Sequence, residues 1–178
     1  MKSKTVTLSA VGNSAWIPLD YRQVPFSVGL AVDLDSAAAG ITYEVQHTLD
    51  DLGKKVNPAS ISRTGTTVTV TFNNPHNLNV NDSIIVEGSG ISGADGTFAV
   101  ATVPSATSLT YTTSSSGTAT GAVDTRIVLL RVFPHEFLTA RTVSDDGNYS
   151  FPVQAIRLNV SALTAGKATL IITQVPAL

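Results

Sequence analysis

The sequence predicts an all-β chain. Three observations carry that expectation. Apolar and polar residues alternate through most of the 178 residues, no apolar stripe at helical spacing is present, and clusters of Gly, Asn and Asp divide the chain into short runs. In "TVTVTF", Val68, Val70 and Phe72 share one face and Thr67, Thr69 and Thr71 the other, as a half-buried antiparallel strand requires.

Taken in order, the strand runs begin with Lys4 to Val11, where Thr and Ser alternate with Val and Leu, followed by Phe26 to Leu34 and Gly40 to Thr48. A low-charge group comes next: Thr66 to Phe72, Asp82 to Gly88, Gly96 to Val103 and Ser108 to Thr113. Thr125 to Val132, Val153 to Val160 and Lys167 to Val175 complete the set, and within "AIRLNV" Ile156, Leu158 and Val160 point inward while Arg157 and Asn159 point outward. "RTGT", "NNPHN", "GSGISGADG", "SDDGN" and "LTAGK" supply turn chemistry between the runs.

Composition restricts function. With 43% hydrophobic and 13% charged residues and a net charge of −2, the chain reads as a folded soluble protein of one or two domains. Its eleven Lys and Arg are scattered, which argues against nucleic acid and anionic membrane surfaces as partners. The absence of Cys removes disulfides, thiolate metal sites and a cysteine nucleophile. The N-terminal "MKSKTVTLSA" makes a poor signal peptide and no apolar run approaches the ~18 residues of a membrane span, so synthesis and folding are expected in the cytoplasm.

Charge nearly vanishes from Asn57 to Asp124, where Thr, Ser, Gly and Val dominate. This shift predicts an inserted domain, 57–124, inside a discontinuous outer domain formed by 1–56 and 125–178. An insert this small buries only ~60% of its unfolded surface and is marginal alone.

Candidate chemical groups are few. The carboxylate pairs Asp33/Asp35, Asp50/Asp51 and Asp145/Asp146 could hold calcium or serve acid-base chemistry, but their positions at strand ends and turns suit local backbone bonding, and EF-hand spacing is absent. His47 alternates with Val45 and Tyr43, and His135 follows Pro134; with His76 far from both, no zinc spacing motif is present. "GSGISGADG" lacks the Lys-Ser/Thr ending of a phosphate loop. Trp16, Tyr21, Tyr43, Tyr111, Tyr149 and the six Phe could line a sugar-binding face, although alternating strand positions favour the core for several of them. The sequons at Asn81, Asn148 and Asn159 are read as chance.

The stretch "TGTTVTVTFNNPHNLNVNDSIIVEGSGISGADGTFAVATVPSATSLTYTT" resembles a small β-barrel module of bacteriophage virion proteins. The matching residues are Pro75, His76, Leu78, Val80, Asp82, Gly88, Gly96, Phe98, Val100 and Tyr111, with Asn81 and Asp95 replacing the usual Gly and Asn as residues that tolerate left-handed backbone. In this setting Pro75 ends a strand, His76 bonds a turn carbonyl and Leu78 re-enters the core. The flanks, through Trp16, Pro18, Leu19, "YEVQHTLDD", "PVQAIRLNV" and "GKATLIITQ", resemble a jelly-roll-like β-sandwich family of phage virion structural proteins.

These resemblances imply an antiparallel β-sandwich, jelly-roll-like, interrupted by a small β-barrel or Ig-like domain. The expected function is non-enzymatic: a capsid decoration or cement protein that binds the outer head surface of a virion as a homo-oligomer, assembled in the host cytoplasm. The expected partner is the major capsid protein or another virion protein. No catalytic, cofactor-binding or metal-ligating residue is assigned, and no cofactor is expected. A tail, collar or connector component is the alternative of the same class, and a carbohydrate-binding module is the alternative of another.

Overall fold

The structure is a computed structural model that describes residues 2–174. Those residues form strands, turns and loops, with no helix among them. In chain order the first five strands are β1 (Lys2–Leu8), β2 (Gly12–Asn13), β3 (Ile17–Pro18), β4 (Val28–Leu34) and β5 (Thr42–Thr48). Seven follow: β6 (Lys55–Val56), β7 (Ser60–Thr71), β8 (Ser83–Glu87), β9 (Gly96–Ala99), β10 (Thr102–Ser105), β11 (Ser108–Thr120) and β12 (Arg126–Leu130). The last four are β13 (Phe133–Pro134), β14 (Asp145–Tyr149), β15 (Ala155–Ala162) and β16 (Ala168–Gln174). The expected strand end at Val175 lies outside the described residues.

The chain divides into two compact units, Met1–Leu49 with Phe133–Leu178 and Asp50–Val132. The second unit starts before 57 and ends beyond 124 because β6 pairs with β12 and β12 with β8, which draws both flanks into its own sheet.

In the first unit one sheet has the order β1-β16-β4-β14 and the other β13-β5-β15-β2, with β3 also on β15. Every pairing is antiparallel, and the chain changes sheet at each connection within this unit except β2 to β3 and β5 to β13. This is the strand order of a jelly roll, built as a sandwich. Val28, Leu30 and Val32 from β4 and Leu170 and Ile172 from β16 face Tyr43, Val45, Ile156, Leu158 and Val160 from the other sheet in one buried core. The alternation read from the sequence is therefore the inner-face pattern of a sandwich. The "SDDGN" segment departs from expectation: residues 145–149 form β14 rather than a turn, because they pair with β4 residue for residue.

β2 and β3 are one strand position broken at Ser14. Ser14 donates its N–H to the Leu158 carbonyl (2.8 Å) and its Oγ accepts the Leu158 N–H (3.0 Å), which holds the bulge to β15. The bulge places Trp16 over Arg157, with the guanidinium 4.5 Å from the ring centroid. Arg157 thus points to the outer face, as expected, yet is only 2% exposed. Its Nε donates to Gln46 Oε1 at 2.7 Å, and burial lowers its pKa to about 10 against the opposing pull of Glu44. Trp16 is a cover for this outer face and not a member of the inter-sheet core.

The second unit consists of two open antiparallel sheets, β10-β11-β7 and β6-β12-β8-β9, which fits the Ig-like form of the expected β-barrel or Ig-like domain. Val68, Val70, Leu109 and Tyr111 pack against Ile84, Val86 and Ile127 between them. The single expected strand from Gly96 to Val103 is split because the chain changes sheet: the Val100 N–H bonds the Asp82 carbonyl, and the Ala101 N–H bonds Thr110. Conversely, β11 continues to Thr120 through "SSSGTAT", pairing with the first half of β7 after a register shift between Thr112 and Gly117.

Two aspartates organise the loops of this unit. Asp82 accepts the N–H groups of Asn79 and Val132, both at 2.7 Å, and Asp95 accepts those of Gly88 and Ser89 at 3.0 and 2.9 Å. Asn81 has φ 74°, as a substitute for Gly should, but Asp95 is not among the left-handed residues. Its carboxylate, rather than its backbone, keeps that turn.

Asp82→Ala leaves two N–H donors without their carboxylate and is expected to destabilise the second unit by roughly 3 kcal/mol, measured by urea denaturation. In the first unit Trp16→Ala is expected to cost roughly 3 kcal/mol, whereas Arg157→Met, which replaces a desolvated cation with an apolar side chain of similar length, should change stability by less than about 1 kcal/mol. Equal and large losses in both variants would contradict the account of Trp16 as a cover over a costly charge.

Candidate functional site

His76 sits in the loop after β7 and is buried. Its Nδ1 accepts the Leu78 N–H at 3.0 Å, its Nε2 lies 3.3 Å from the carbonyls of Ser105 and Ser108, and its own N–H bonds Ala106. Nε2 and the backbone N–H therefore tie the loop to the β10–β11 hairpin, Nδ1 closes the loop on itself, and Leu78 is delivered to the core. The adjoining cavity of about 320 Å³ also contains Asp50, Lys54 and Arg131. Burial opposes ionisation of Asp50, but hydrogen bonds from Arg131 outweigh it and hold the carboxyl below its ordinary range.

The other carboxylates are distributed. Asp145 pairs with Arg141, and the Asp146 N–H together with that guanidinium keeps its carboxyl low. Asp35 accepts the Lys167 N–H, and Asp33 accepts from Ser144 Oγ. Among the described residues no three His, Asp or Glu side chains converge to hold a metal ion.

The two remaining histidines are brought together in the first unit. β13 pairs with β5, with Phe133 opposite His47. After Pro134 the chain turns in: His135 donates its N–H to the Val45 carbonyl (2.8 Å), and its Nδ1 accepts the N–H groups of Phe137 (3.1 Å) and Leu138 (3.2 Å). With Nδ1 an acceptor, Nε2 carries the proton and donates to the Asn148 carbonyl of β14 at 3.1 Å, linking one sheet to the other. Leu138 is thereby fully buried, and Phe137 is left 67% exposed.

Tyr149 fills the space between the histidines. Its ring stands edge-on to His47 at 5.1 Å and to His135 at 4.8 Å, and its hydroxyl is hydrogen-bonded to His47 Nδ1 at 3.0 Å. Phe133 and Phe151 approach His47 at 5.7 and 5.9 Å, and Phe151 meets Tyr149 edge-on at 5.6 Å. His47, His135, Tyr149 and Phe151 border a cleft of about 240 Å³ lined also by Glu136, Phe137, Asn148 and Ser150. Burial, reinforced by the neighbouring His135, pushes the His47 pKa down to about 4; burial raises that of Tyr149.

The aromatic residues thus separate into two groups. Tyr43, Tyr111, Tyr149, Phe26 and Phe72 are buried, whereas Phe137 and Phe151 are exposed around one cleft and Phe133, 40% exposed, packs beside His47. The sequence reading did not single out these three. Their density was the available signal: three of the six phenylalanines fall between 133 and 151, in "FPHEF" and "NYSF".

No family model and no curated protein matches the chain. Among solved structures it is similar to a phage phi92 endosialidase, with 19% sequence identity and a TM-score of 0.32. The similarity covers 69% of this chain and 14% of that one, so the chain spans a small part of that protein's length.

The His47 shift predicts a pH dependence. Because the folded form refuses a proton that the unfolded chain accepts at an ordinary pKa near 6.5, stability is full above about pH 6.5 and falls as the pH drops towards about 4. The loss should be on the order of 2 kcal/mol. His47→Gln should remove that part of the slope in urea titrations between pH 7 and 4.5; an unchanged slope would assign the loss to other groups.

Proposed function

We propose that the chain is a non-enzymatic structural component of a bacteriophage particle, a decoration or cement protein that binds the outer head surface as a homo-oligomer. The observation that carries this reading is the jelly-roll strand order of the first unit, with a second all-β unit spliced between β5 and β13, in a sequence that resembles virion proteins in both parts. The partner in this reading is the major capsid protein or another virion protein, and the location is the virion.

Physical features of the surface support assembly. β1 is an edge strand of seven residues that pairs only with β16 among the described residues, so its outer backbone groups are available to a neighbouring copy. Val11, Val24 and Val143 are 60%, 91% and 59% exposed, apolar area that this chain alone leaves in water.

Mixing the purified protein with heads that lack it, and with complete particles, tests the reading. The expected result is co-sedimentation that persists at 1 M salt, about a 3 Å Debye length, because backbone and apolar contacts are weakly screened. Cryo-EM density should repeat over the capsid lattice. Density confined to a vertex or the tail would move the protein to the connector or tail class, and absence of binding to heads and particles alike would overturn the assignment.

A further inference from the structure

We propose that the cleft at the β13–β14 corner binds an uncharged saccharide ring. Two kinds of exposed surface meet there. Phe137 and Phe151 are 67% and 48% exposed, and beside them the side chains of Glu136, Asn148 and Ser150 are exposed and make no hydrogen bond among the described residues. An apolar partner would cover the rings but strip water from the carboxylate and amide without replacing it. A purely polar partner would leave the rings in water. A pyranose matches both, because its axial C–H groups cover an aromatic face while its hydroxyls donate to Glu136 and exchange hydrogen bonds with Asn148 and Ser150.

Charge selects among saccharides. Glu136 is the only carboxylate in the lining and neither Lys nor Arg lines the cleft. His47, with its pKa depressed to about 4, adds no positive charge at neutral pH. An acidic sugar would meet a carboxylate with no compensating cation, so neutral rings are preferred.

The cleft is also preorganised and small. His135, bonded through Nδ1 and Nε2, fixes the backbone at Phe137 and Asn148, and edge-on contacts of Tyr149 and His47 hold Phe151. Binding therefore need not order the Phe151 ring or the backbone that carries Phe137. A volume of about 240 Å³ lies just below the range of drug-sized pockets and suits a single sugar ring. β14 and β1 are opposite edges of one sheet, so pairing through β1 leaves this corner open. The inference does not rest on the particle assignment.

Saturation-transfer NMR on the full chain tests it, with maltotriose, cellotriose and tri-N-acetylchitotriose as neutral probes and trigalacturonic acid as the anionic counterpart. Transfer to ring C–H protons of a neutral probe is expected, with none to the acid. Phe137→Ala should weaken binding about fivefold, the equivalent of one stacking contact, with an unchanged unfolding midpoint. Glu136→Gln serves as a second variant that keeps the cleft's shape and should alter the transfer pattern at the hydroxyl-bearing carbons. No transfer to any neutral probe, transfer unaffected by Phe137→Ala, or equal transfer to the acid would overturn the proposal. So would a Phe137→Ala variant that loses particle binding when no saccharide binds the parent, since the cleft would then be a protein-docking surface. Particle association of the parent chain is measured without sugar, so the two readings fail separately.

Discussion

The register of β5 on β15 is the constraint on which the first unit depends. Tyr43, Val45 and His47 lie opposite Val160, Leu158 and Ile156, and the residues between them, Glu44 and Gln46, lie opposite Asn159 and Arg157. Because side chains alternate with period two, a slip of β5 by one residue would turn Glu44 and Gln46 into the inter-sheet core and Tyr43, Val45 and His47 outward. Burying the Glu44 carboxylate without a partner would cost several kcal/mol. The same register carries His47 to the inner face at the end of the ladder, where Tyr149 meets it from the opposite sheet.

Histidine has one structural use in both units. His76 and His135 each follow a proline, each accepts at Nδ1 a backbone N–H two residues on, and each turns Nε2 to a carbonyl of another segment. In both places the imidazole supplies an acceptor to the backbone of the turn that follows the proline. In each case a leucine is sent into the core, Leu78 in one unit and Leu138 in the other. The exposure of Phe137 follows from the same turn: with Leu138 drawn inward, its neighbour is directed out, and the cleft is formed by a structural device.

Carboxylates take the corresponding part in the second unit. Asp82 and Asp95 each gather two backbone N–H groups, which explains why a module with so little charge keeps an Asp at each of these positions. The strands themselves are held by ladder hydrogen bonds and by a small core around Tyr111, whose hydroxyl donates to the Ala94 carbonyl at 2.8 Å. Phe98 packs on the same ring at 4.5 Å. Thr and Ser face water between these apolar positions, so the unit needs few ion pairs to stay soluble along its strands.

The sequence by itself determined the all-β class, the main apolar strands and the turn role of His76, because period-two alternation and Pro-His-x-Leu are local signals. It also separated inward from outward positions on β15, down to Arg157. It did not determine β14, the split between β9 and β10, the second half of β11 or the covering role of Trp16. "DDGNY" has the composition of a turn and becomes a strand only because β4 offers an unpaired edge to it. The cleft of Phe137 and Phe151 was equally hidden, since residues up to 104 positions apart in sequence, His47 and Phe151, must meet before it exists. Tertiary structure decided these points because edge pairing and side-chain burial depend on which distant backbone lies alongside, and no local pattern encodes that neighbour.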